Sequence, residues 1–124
     1  MKRIEAIIQP LRLFGVKDAL KARFGLGMTI VQAQGVGNTP PVEEHYRGDH
    51  YEEDKSDKVM IVLYVADEIV DDVCDTILKH ARTGKIGDGK IVISEVCKVI
   101  RIRDGKTGDM AISETFFTMK LTGE

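Results

Sequence analysis

The stretch that decides the fold is KVMIVLYV, residues 58–65, which is apolar on both alternating faces of an extended chain. A strand with one face in water keeps polar residues on that face, whereas a strand covered on both sides does not. We therefore expect residues 58–65 to form a central strand of a sheet. Outward from this strand, the chain alternates between helix and strand patterns in both directions.

On the C-terminal side, apolar residues recur with a helical period after Asp67, which is placed to cap that helix. The apolar stripe consists of Ile69, Val70, Val73, Cys74, Ile77, Leu78 and Ala81. A glycine-rich loop follows. The next stretch, KIVISEVCKVIRIR (90–103), predicts one long strand or two short ones.

On the N-terminal side, the pattern is strand, helix, strand. The first strand alternates Ile4, Ala6 and Ile8 with mostly polar residues and stops at Pro10. The helix that follows carries Leu13, Val16, Leu20 and Phe24 at steps of three and four residues, and Gly25 and Gly27 end it. The stretch MTIVQAQGVG (28–37) predicts the second strand.

The order of elements predicts an α+β fold, the ferredoxin-like βαββαβ sandwich, with an antiparallel sheet and both helices on one of its faces. We expect one domain over residues 1–112 with a long loop at 37–57, which lacks periodicity and is too long for a mere connection. Because the central strand is apolar on both sides, the other face of the sheet is expected to pack against another subunit. The sequence after Arg103 predicts a mobile or clamping tail, with 113–124 as a separate segment. In that segment Phe116, Phe117, Met119 and Leu121 could dock on a neighbour.

The composition excludes several classes of protein. The net charge of −2 and the low aromatic content of 6%, with no Trp, argue against a nucleic-acid partner. No apolar run approaches the roughly 20 residues needed to cross a bilayer, and the N-terminus resembles a strand rather than a signal peptide. We therefore expect a cytoplasmic protein that does not insert into membranes. Cys74 and Cys97 lie in apolar segments and are expected to be small buried residues rather than a redox pair.

The stretch TGKIGDGKIVI (83–93) is close to a phosphate-binding P-loop, but Ile91 stands where that motif needs Ser or Thr. It also runs from a helix into a strand, the reverse of a P-loop, which excludes a conventional P-loop NTPase. Its glycines still allow backbone N–H groups to converge on an anion, and Lys90 adds a positive charge. The alternative is a tight turn that enters a strand.

Further along, Arg101 and Arg103 are expected to project from one face of a strand, about 7 Å apart. Two neighbouring guanidinium groups suit the oxygens of a polyphosphate, although a solvated edge with paired charges is the alternative. Gly35 and Gly37 offer a second place where backbone can approach a ligand closely. Together these features favour a phosphate-rich small molecule.

The long loop, with Lys58 directly after it, reads NTPPVEEHYRGDHYEEDKSDK (38–58) and displays Tyr46 and Tyr51 around a turn signal. Such tyrosines can be modified or can anchor a partner, or they are simply tolerated at the surface. His45 and His50 stand among acidic residues, but their spacing matches no closed metal site, so we assign no metal ligands. A metal-responsive regulator that uses these histidines remains an alternative. We expect no catalytic residues, since no positioned base accompanies the cations.

These residues resemble a known family. TGKIGDGKI followed by VIRIR is similar to the C-terminal signature of the PII signal-transduction proteins, which regulate nitrogen metabolism, and YRGDHY resembles their Y-R-G-A-E-Y loop motif. The resemblance runs from Met1 to about Ile112. It implies a homotrimer of ferredoxin-like subunits that binds an adenine nucleotide (ATP, ADP or AMP) in clefts between neighbours. Through its long loop such a trimer controls a target transporter or enzyme.

The resemblance also implies site residues. The adenine and ribose region would involve Thr29, Gly35 and Tyr64. The phosphates would be met by residues of the loops and the arginine segment: Gly37, Gly87, Gly89, Lys90, Arg101 and Arg103. Asp88, in the same loop, is also expected to belong to the nucleotide site. Lys58 and Gly87 match positions that contact the effector, usually 2-oxoglutarate. Tyr51 matches the tyrosine that is uridylylated in some relatives, with Asp49 and His50 as departures from the usual motif.

The strongest departure lies at the start of the long loop, where the family usually has G-R-Q-K-G and this chain has Gly37-Asn38-Thr39-Pro40-Pro41. Asn38 brings no charge to a γ-phosphate, Thr39 is a shorter metal ligand, and the prolines remove two backbone donors. A lost charged hydrogen bond costs about 1.5–3 kcal/mol. We therefore expect ADP or AMP to bind at least as well as ATP, and 2-oxoglutarate sensing to be altered or lost. Whether magnesium accompanies the nucleotide is left open by these residues. As an alternative, some PII-like relatives linked to inorganic-carbon uptake bind bicarbonate, and a small anion could use Lys58 with the glycine loop.

Overall fold

The computed structural model of the chain describes residues 1–36 and 55–112. Four strands form one antiparallel sheet in the order β2-β3-β1-β4. They are β1 (Lys2–Ile8), β2 (Thr29–Val36), β3 (Lys55–Val65) and β4 (Lys90–Glu95). Two main helices connect them, α1 (Leu13–Phe24) between β1 and β2, and α2 (Val70–Ala81) between β3 and β4. The predicted βαββαβ sandwich is confirmed.

The two-sided apolar pattern of β3 is explained by its position inside the sheet. Ile61 pairs with Ala6 of β1 on one side and with Ile30 of β2 on the other. Ile61 is fully buried beneath the helices, and Val62, which points to the opposite face, is only 6% exposed. The prediction of a central strand is therefore confirmed.

The core lies between one face of the sheet and the two helices. Its largest fully buried side chains come from both layers: Ile4, Ile8, Ile61, Leu63 and Val65 from the strands, and Val16, Leu20, Val73 and Ile77 from the helices. The strand residues occupy alternate positions and the helix residues recur every three or four. Both patterns predicted from the sequence therefore place their apolar side chains in this core.

The ends of the helices agree only in part with the sequence prediction. Gly25 ends α1 in the left-handed conformation at φ 66°, and its N–H donates to the Lys21 carbonyl at 2.9 Å. The predicted capping role of Asp67 is wrong, because its carboxylate instead accepts from the N-terminal ammonium at 2.9 Å and from Lys2 at 3.0 Å. Both hydrogen bonds lower the pKa of Asp67. A 3₁₀ turn, Asp67–Ile69, leads into α2 without a side-chain cap.

The segment after β4 also differs from prediction. The strand stops at Glu95 rather than running to Arg103, and Cys97 is exposed, so its predicted burial is wrong. An isolated bridge then joins Ile100 to Thr107 around a tight turn. A short helix, α3 (Asp109–Ile112), contacts β3. Residues 104–112 are thus part of the fold, and no tail begins directly after Arg103.

The face of the sheet away from α1 and α2 carries partly exposed apolar side chains, among them Val31 and Val92 at 41% and 43% exposed. The expected packing of this face against another subunit stays a prediction.

The long loop between β2 and β3 is shorter at its C-terminal end than predicted, because the β2–β3 ladder continues to the pair Val36 and Lys55. Within residues 1–36 and 55–112, no helix has the length and apolar character of a membrane span.

Candidate functional site

The glycine-rich loop between α2 and β4 is ordered by Asp88. Its carboxylate accepts hydrogen bonds from the backbone N–H groups of Thr83 and Gly84, both at 2.8 Å, and from the Thr83 hydroxyl. These bonds, the one from the hydroxyl first, lower the pKa of Asp88. Asp88 was predicted to meet the nucleotide, and the structure gives its carboxylate a clear role within the loop itself.

The glycines of this loop are required for two different physical reasons. Gly84, Gly87 and Gly89 all have positive φ, at 84°, 101° and 94°. Only at Gly89 would a Cβ also collide, since it would lie 1.7 Å from the carbonyl oxygen of Ile7. Gly89 thus lets the loop approach the backbone of β1 closely, and the approach sets where Lys90 begins β4.

Lys58 and Gly87, the two predicted effector residues, are in direct contact. The Lys58 ammonium donates to the Gly87 carbonyl, and the same oxygen accepts from the Gln9 amide at 3.3 Å. Gly35 lies beside them, because a Cβ built there would be 3.4 Å from Cγ of Lys58. Gln9 was missed from the sequence; its signal is a polar residue directly after an apolar strand and before Pro10.

These residues occupy one end of the sheet. Lys90 pairs with Ile7, Ile7 pairs with Met60, and Gly35 pairs with Ser56, close to Lys58 along β3. This end therefore combines two ammonium groups with a glycine loop whose backbone can face a ligand. It is suited to an anion, and we call it the loop-side half of the site: Gly35, Lys58 and residues 87–90.

Thr29 and Tyr64 lie at the opposite end of the sheet. They line a cavity of about 530 Å³ together with Met28, Val99 and Ile112. The Tyr64 hydroxyl accepts from Arg3 at 3.1 Å, and the guanidinium carbon lies 5.9 Å from the centre of the ring. This partly apolar cavity with an anchored aromatic ring is suited to a flat heterocycle.

Val99 lines this second cavity, and Arg101 and Arg103 follow it in the sequence, in the turn after Ile100. The prediction that they share a strand face is wrong, because the backbone reverses here: Gly105 N–H donates to the Arg101 carbonyl at 2.7 Å. Arg101 instead binds the Asp104 carboxylate with two hydrogen bonds, at 3.1 and 2.8 Å, while Arg103 is 3.9 Å from it. The Arg101 bonds lower the pKa of Asp104 to about 2.

The structure does not bring all predicted residues together within one chain. Lys58 and Tyr64 are six residues apart on β3, which is about 20 Å at the rise of a strand. We call Thr29, Tyr64, Arg101 and Arg103 the turn-side half of the site. One chain therefore carries two half-sites at opposite ends of its sheet, and neither half alone has both a cavity for a base and the full set of cations.

Several predicted residues lie outside the described residues. They are Gly37, Tyr51 and the whole sequence departure at 38–41, as well as His45, His50 and the tail at 113–124. In the part of the chain that the structure describes, no three His, Cys, Asp or Glu side chains are grouped so as to hold a metal ion. The metal-responsive alternative thus depends entirely on residues about which the structure is silent.

Comparison with known proteins gives consistent similarities. The profile of the family "Nitrogen regulatory protein P-II" matches residues 1–106. Nitrogen regulatory protein P-II of Klebsiella oxytoca and Nitrogen regulatory protein P-II 1 of Escherichia coli (strain K12) are each 49% identical over 113 residues, 90% of this chain and 100% of the relative. Nitrogen regulatory protein P-II 2 of Methanothermobacter thermautotrophicus is 48% identical over 112 residues, 90% of this chain and 97% of the relative.

Proposed function

The chain belongs to the Nitrogen regulatory protein P-II family, whose members are regulators rather than enzymes, and we propose that it senses adenine nucleotides in clefts between the subunits of a homotrimer. The single observation that carries this proposal is the division of the site. The loop-side half and the turn-side half lie at opposite ends of the sheet, so a complete pocket needs one half from each of two chains. The resemblance stated above supports the same arrangement.

In the proposed cleft, the loop-side half of one subunit holds the phosphates. Backbone N–H groups near Gly87 and the Lys90 ammonium meet the diphosphate from one side. Arg103 of the turn-side half approaches from the next subunit, where charge-assisted hydrogen bonds to phosphate are the strongest available type. Thr29 and Tyr64 contribute the walls of the adenine and ribose region.

The control of a target transporter or enzyme is proposed to run through the loop that joins β2 and β3. Gly35 and Lys58 sit on the two strands that carry this loop, only a few residues from its ends. A ligand that binds against them changes the relative free energies of the conformations available to the loop, and it shifts their populations by its differential affinity. The loop thereby reports which ligand occupies the cleft.

The nucleotide preference is expected to be unusual for the family. Calorimetric titration should give an ADP affinity at least equal to the ATP affinity, because Asn38 replaces the arginine that would meet the γ-phosphate. It should also give weak or undetectable 2-oxoglutarate binding, since Pro40 and Pro41 lack two backbone donors. Restoring the charge with Asn38→Arg should improve ATP relative to ADP by about 10-fold or more. Tight 2-oxoglutarate binding that requires Mg-ATP would contradict this account.

A second candidate function is a sensor of bicarbonate or another small anion together with ADP or AMP. The observation that favours it is the contact of Lys58 with Gly87, which places an ammonium group at the base of the long loop. Thermal-shift screening of small anions, with and without ADP, tests it. A stabilising anion should lose its effect in Lys58→Met and keep it in Lys85→Met, a control in the exposed glycine loop that Lys58 contacts at Gly87. No stabilisation by any anion would remove this candidate.

A further inference from the structure

The cavity that Thr29 and Tyr64 line is open to solvent and partly apolar. Its volume is about 530 Å³, and its walls include Ile30 and Tyr64, which are 39% and 37% exposed. Of the described residues that line it, two are cations, Lys17 and Lys21 on α1, and none is an anion. An occupant that combines aromatic or apolar groups with a negative charge therefore fits this cavity.

The described part of the chain ends in the wall of this cavity. Ala111 and Ile112, at the end of α3, both line it, and α3 contacts β3. Residues 113–124 follow Ile112 in the sequence. A segment that continues from Ile112 starts beside the cavity, and even a fully extended chain keeps Phe117 within about 18 Å of Ile112.

The sequence of this segment, SETFFTMKLTGE, has the properties that the cavity requires. Phe117, Met119 and Leu121 stand at every second position with Thr or Lys between them, which is the pattern of a strand with one apolar face. The first charge after Ile112 is negative, Glu114, and it is opposite in sign to the two lysines of α1. The apolar face and the charge thus match the walls and the cations of the cavity.

The segment is also additional to the bacterial relatives named above. Their match covers 100% of the relative but 90% of this chain, and the family profile ends at residue 106. Because the resemblance runs to about Ile112, residues 113–124 have no counterpart in those relatives. A contact made by this segment is therefore a feature that they lack.

We propose that residues 113–124 fold back over the cavity of their own chain, with Phe117 inside it and Glu114 beside Lys17 and Lys21. This inference rests on the proposed function, because it adds a built-in competitor at the adenine position of the same site. The segment and the nucleotide exclude each other, so a nucleotide binds only when the segment leaves. The occupant comes from the same chain, since Ile112 of that chain already lies in the wall.

The short connection makes even a weak contact effective. A segment joined to its site by a few residues has an effective concentration of about 1 mM, so a contact with an intrinsic dissociation constant of about 0.1 mM is about 90% occupied. The apparent dissociation constant of a competing ligand is the intrinsic one divided by the fraction of open sites. The segment should therefore weaken ADP binding about 10-fold.

Nucleotide affinity is the first test, in the full-length chain. Phe117→Lys removes the aromatic ring and adds a charge that Lys17 and Lys21 repel, so calorimetry should show ADP binding about 10-fold tighter than in the wild type. Thr118→Lys adds the same charge at the alternate position and should stay within about a factor of two. An unchanged ADP affinity in Phe117→Lys would overturn the proposal, and so would an equal gain in both variants.

Fluorescence reports the position of the segment directly. The chain contains no Trp, so Phe117→Trp introduces a single indole. Its emission should lie at the short wavelengths of a buried indole without nucleotide and move to longer wavelengths at saturating ADP. Thr118→Trp should emit as an exposed indole in both conditions. If the indole of Phe117→Trp is exposed from the start, or if it is buried and ADP does not move it, the segment does not occupy this cavity.

Disulfide formation identifies which chain supplies the segment. Met28 lines the cavity, so Met28→Cys is combined with Phe117→Cys in a background that carries Cys74→Ala and Cys97→Ser. Oxidation without nucleotide should give a disulfide within one chain, which runs as a monomer on a denaturing gel. Linked dimers would assign the segment to the cavity of a neighbour, and the absence of any disulfide would remove the contact. Either result contradicts the proposal.

The inference and the proposed function fail in distinguishable ways. If the wild type and Phe117→Lys bind ADP equally and the indole of Phe117→Trp is exposed, the segment does not dock, while the nucleotide site stands. If neither the wild type nor Phe117→Lys binds any adenine nucleotide, the proposed function is wrong. The emission of Phe117→Trp without nucleotide then still decides whether the segment fills the cavity.

Discussion

Gly89→Ala should destabilise the protein by at least about 4 kcal/mol, a loss that single substitutions reach only through a specific mechanism such as a backbone clash. The added Cβ would lie 1.7 Å from the Ile7 carbonyl oxygen, and this oxygen belongs to the backbone of an interior strand. Ile7 is paired with Met60 on one side and with Lys90 on the other, so it has no direction in which to move without disrupting the sheet. Urea denaturation followed by circular dichroism, at one fixed chain concentration, measures the loss.

Gly84→Ala is the matched control for this prediction. Gly84 has a similar positive φ, 84° against 94° for Gly89, but nothing lies within 4 Å of a Cβ built there. It should therefore cost only the strain of a left-handed alanine, about 1–2 kcal/mol. The difference between the two variants isolates the steric contact. Equal losses for both variants would mean that the loop does not approach β1 as the structure shows.

Much of the fold could be predicted because burial and periodicity agree in this sequence. The apolar pattern at 58–65 predicted a central strand, and β3 has buried residues on both faces. The helices followed from the three- and four-residue spacing of residues such as Val16 and Leu20, and Gly25 correctly marked the end of α1. In these segments the local pattern and the tertiary packing favour the same conformation.

The errors arose where a local side chain or a distant charge decides the structure. The alternation in VIRIR is that of a strand, but Asp104 binds Arg101 and the backbone turns. Asp67 is of a residue type that often caps helices. Its carboxylate instead forms a salt bridge with the N-terminal ammonium, which is distant in sequence. The contact of Gln9 with Gly87 spans 78 residues and follows only from the assembled sheet. Asp104 lies only three residues from Arg101, but the strand-like alternation outweighed it in the prediction, whereas the partners of Asp67 and Gln9 are distant in sequence.

The second large effect is expected on nucleotide affinity. Lys90→Ala and Arg103→Ala should each weaken ADP binding by about 10- to 150-fold, because each removes a charge-assisted hydrogen bond worth about 1.5–3 kcal/mol. Arg103 is preferred to Arg101 for this test, since Arg101 also holds the turn through its two hydrogen bonds to Asp104. Calorimetric titration with ADP measures the change.

Lys85→Ala is the matched control, because Lys85 lies in the glycine-rich loop that leads into Lys90 and both side chains are exposed. It should leave the ADP affinity within about a factor of two, the effect of a screened surface charge. If Lys85→Ala and Lys90→Ala weakened binding equally, the loop would act only through its overall charge. If Arg103→Ala had no effect, the turn-side half would not reach the phosphates.

The most direct test of the account is to combine Lys90→Ala and Arg103→Ala chains in one assembly. The two chains, with different affinity tags, are co-expressed, and trimers that carry both tags are purified. In a head-to-tail ring of three, any mixed order creates a single cleft with an intact Lys90 from one chain and an intact Arg103 from the next. The account predicts that ADP titration of mixed trimers recovers wild-type affinity at about one cleft in three. If mixed trimers show no site tighter than those of the parent variants, the two half-sites do not meet between chains, and the central claim is wrong.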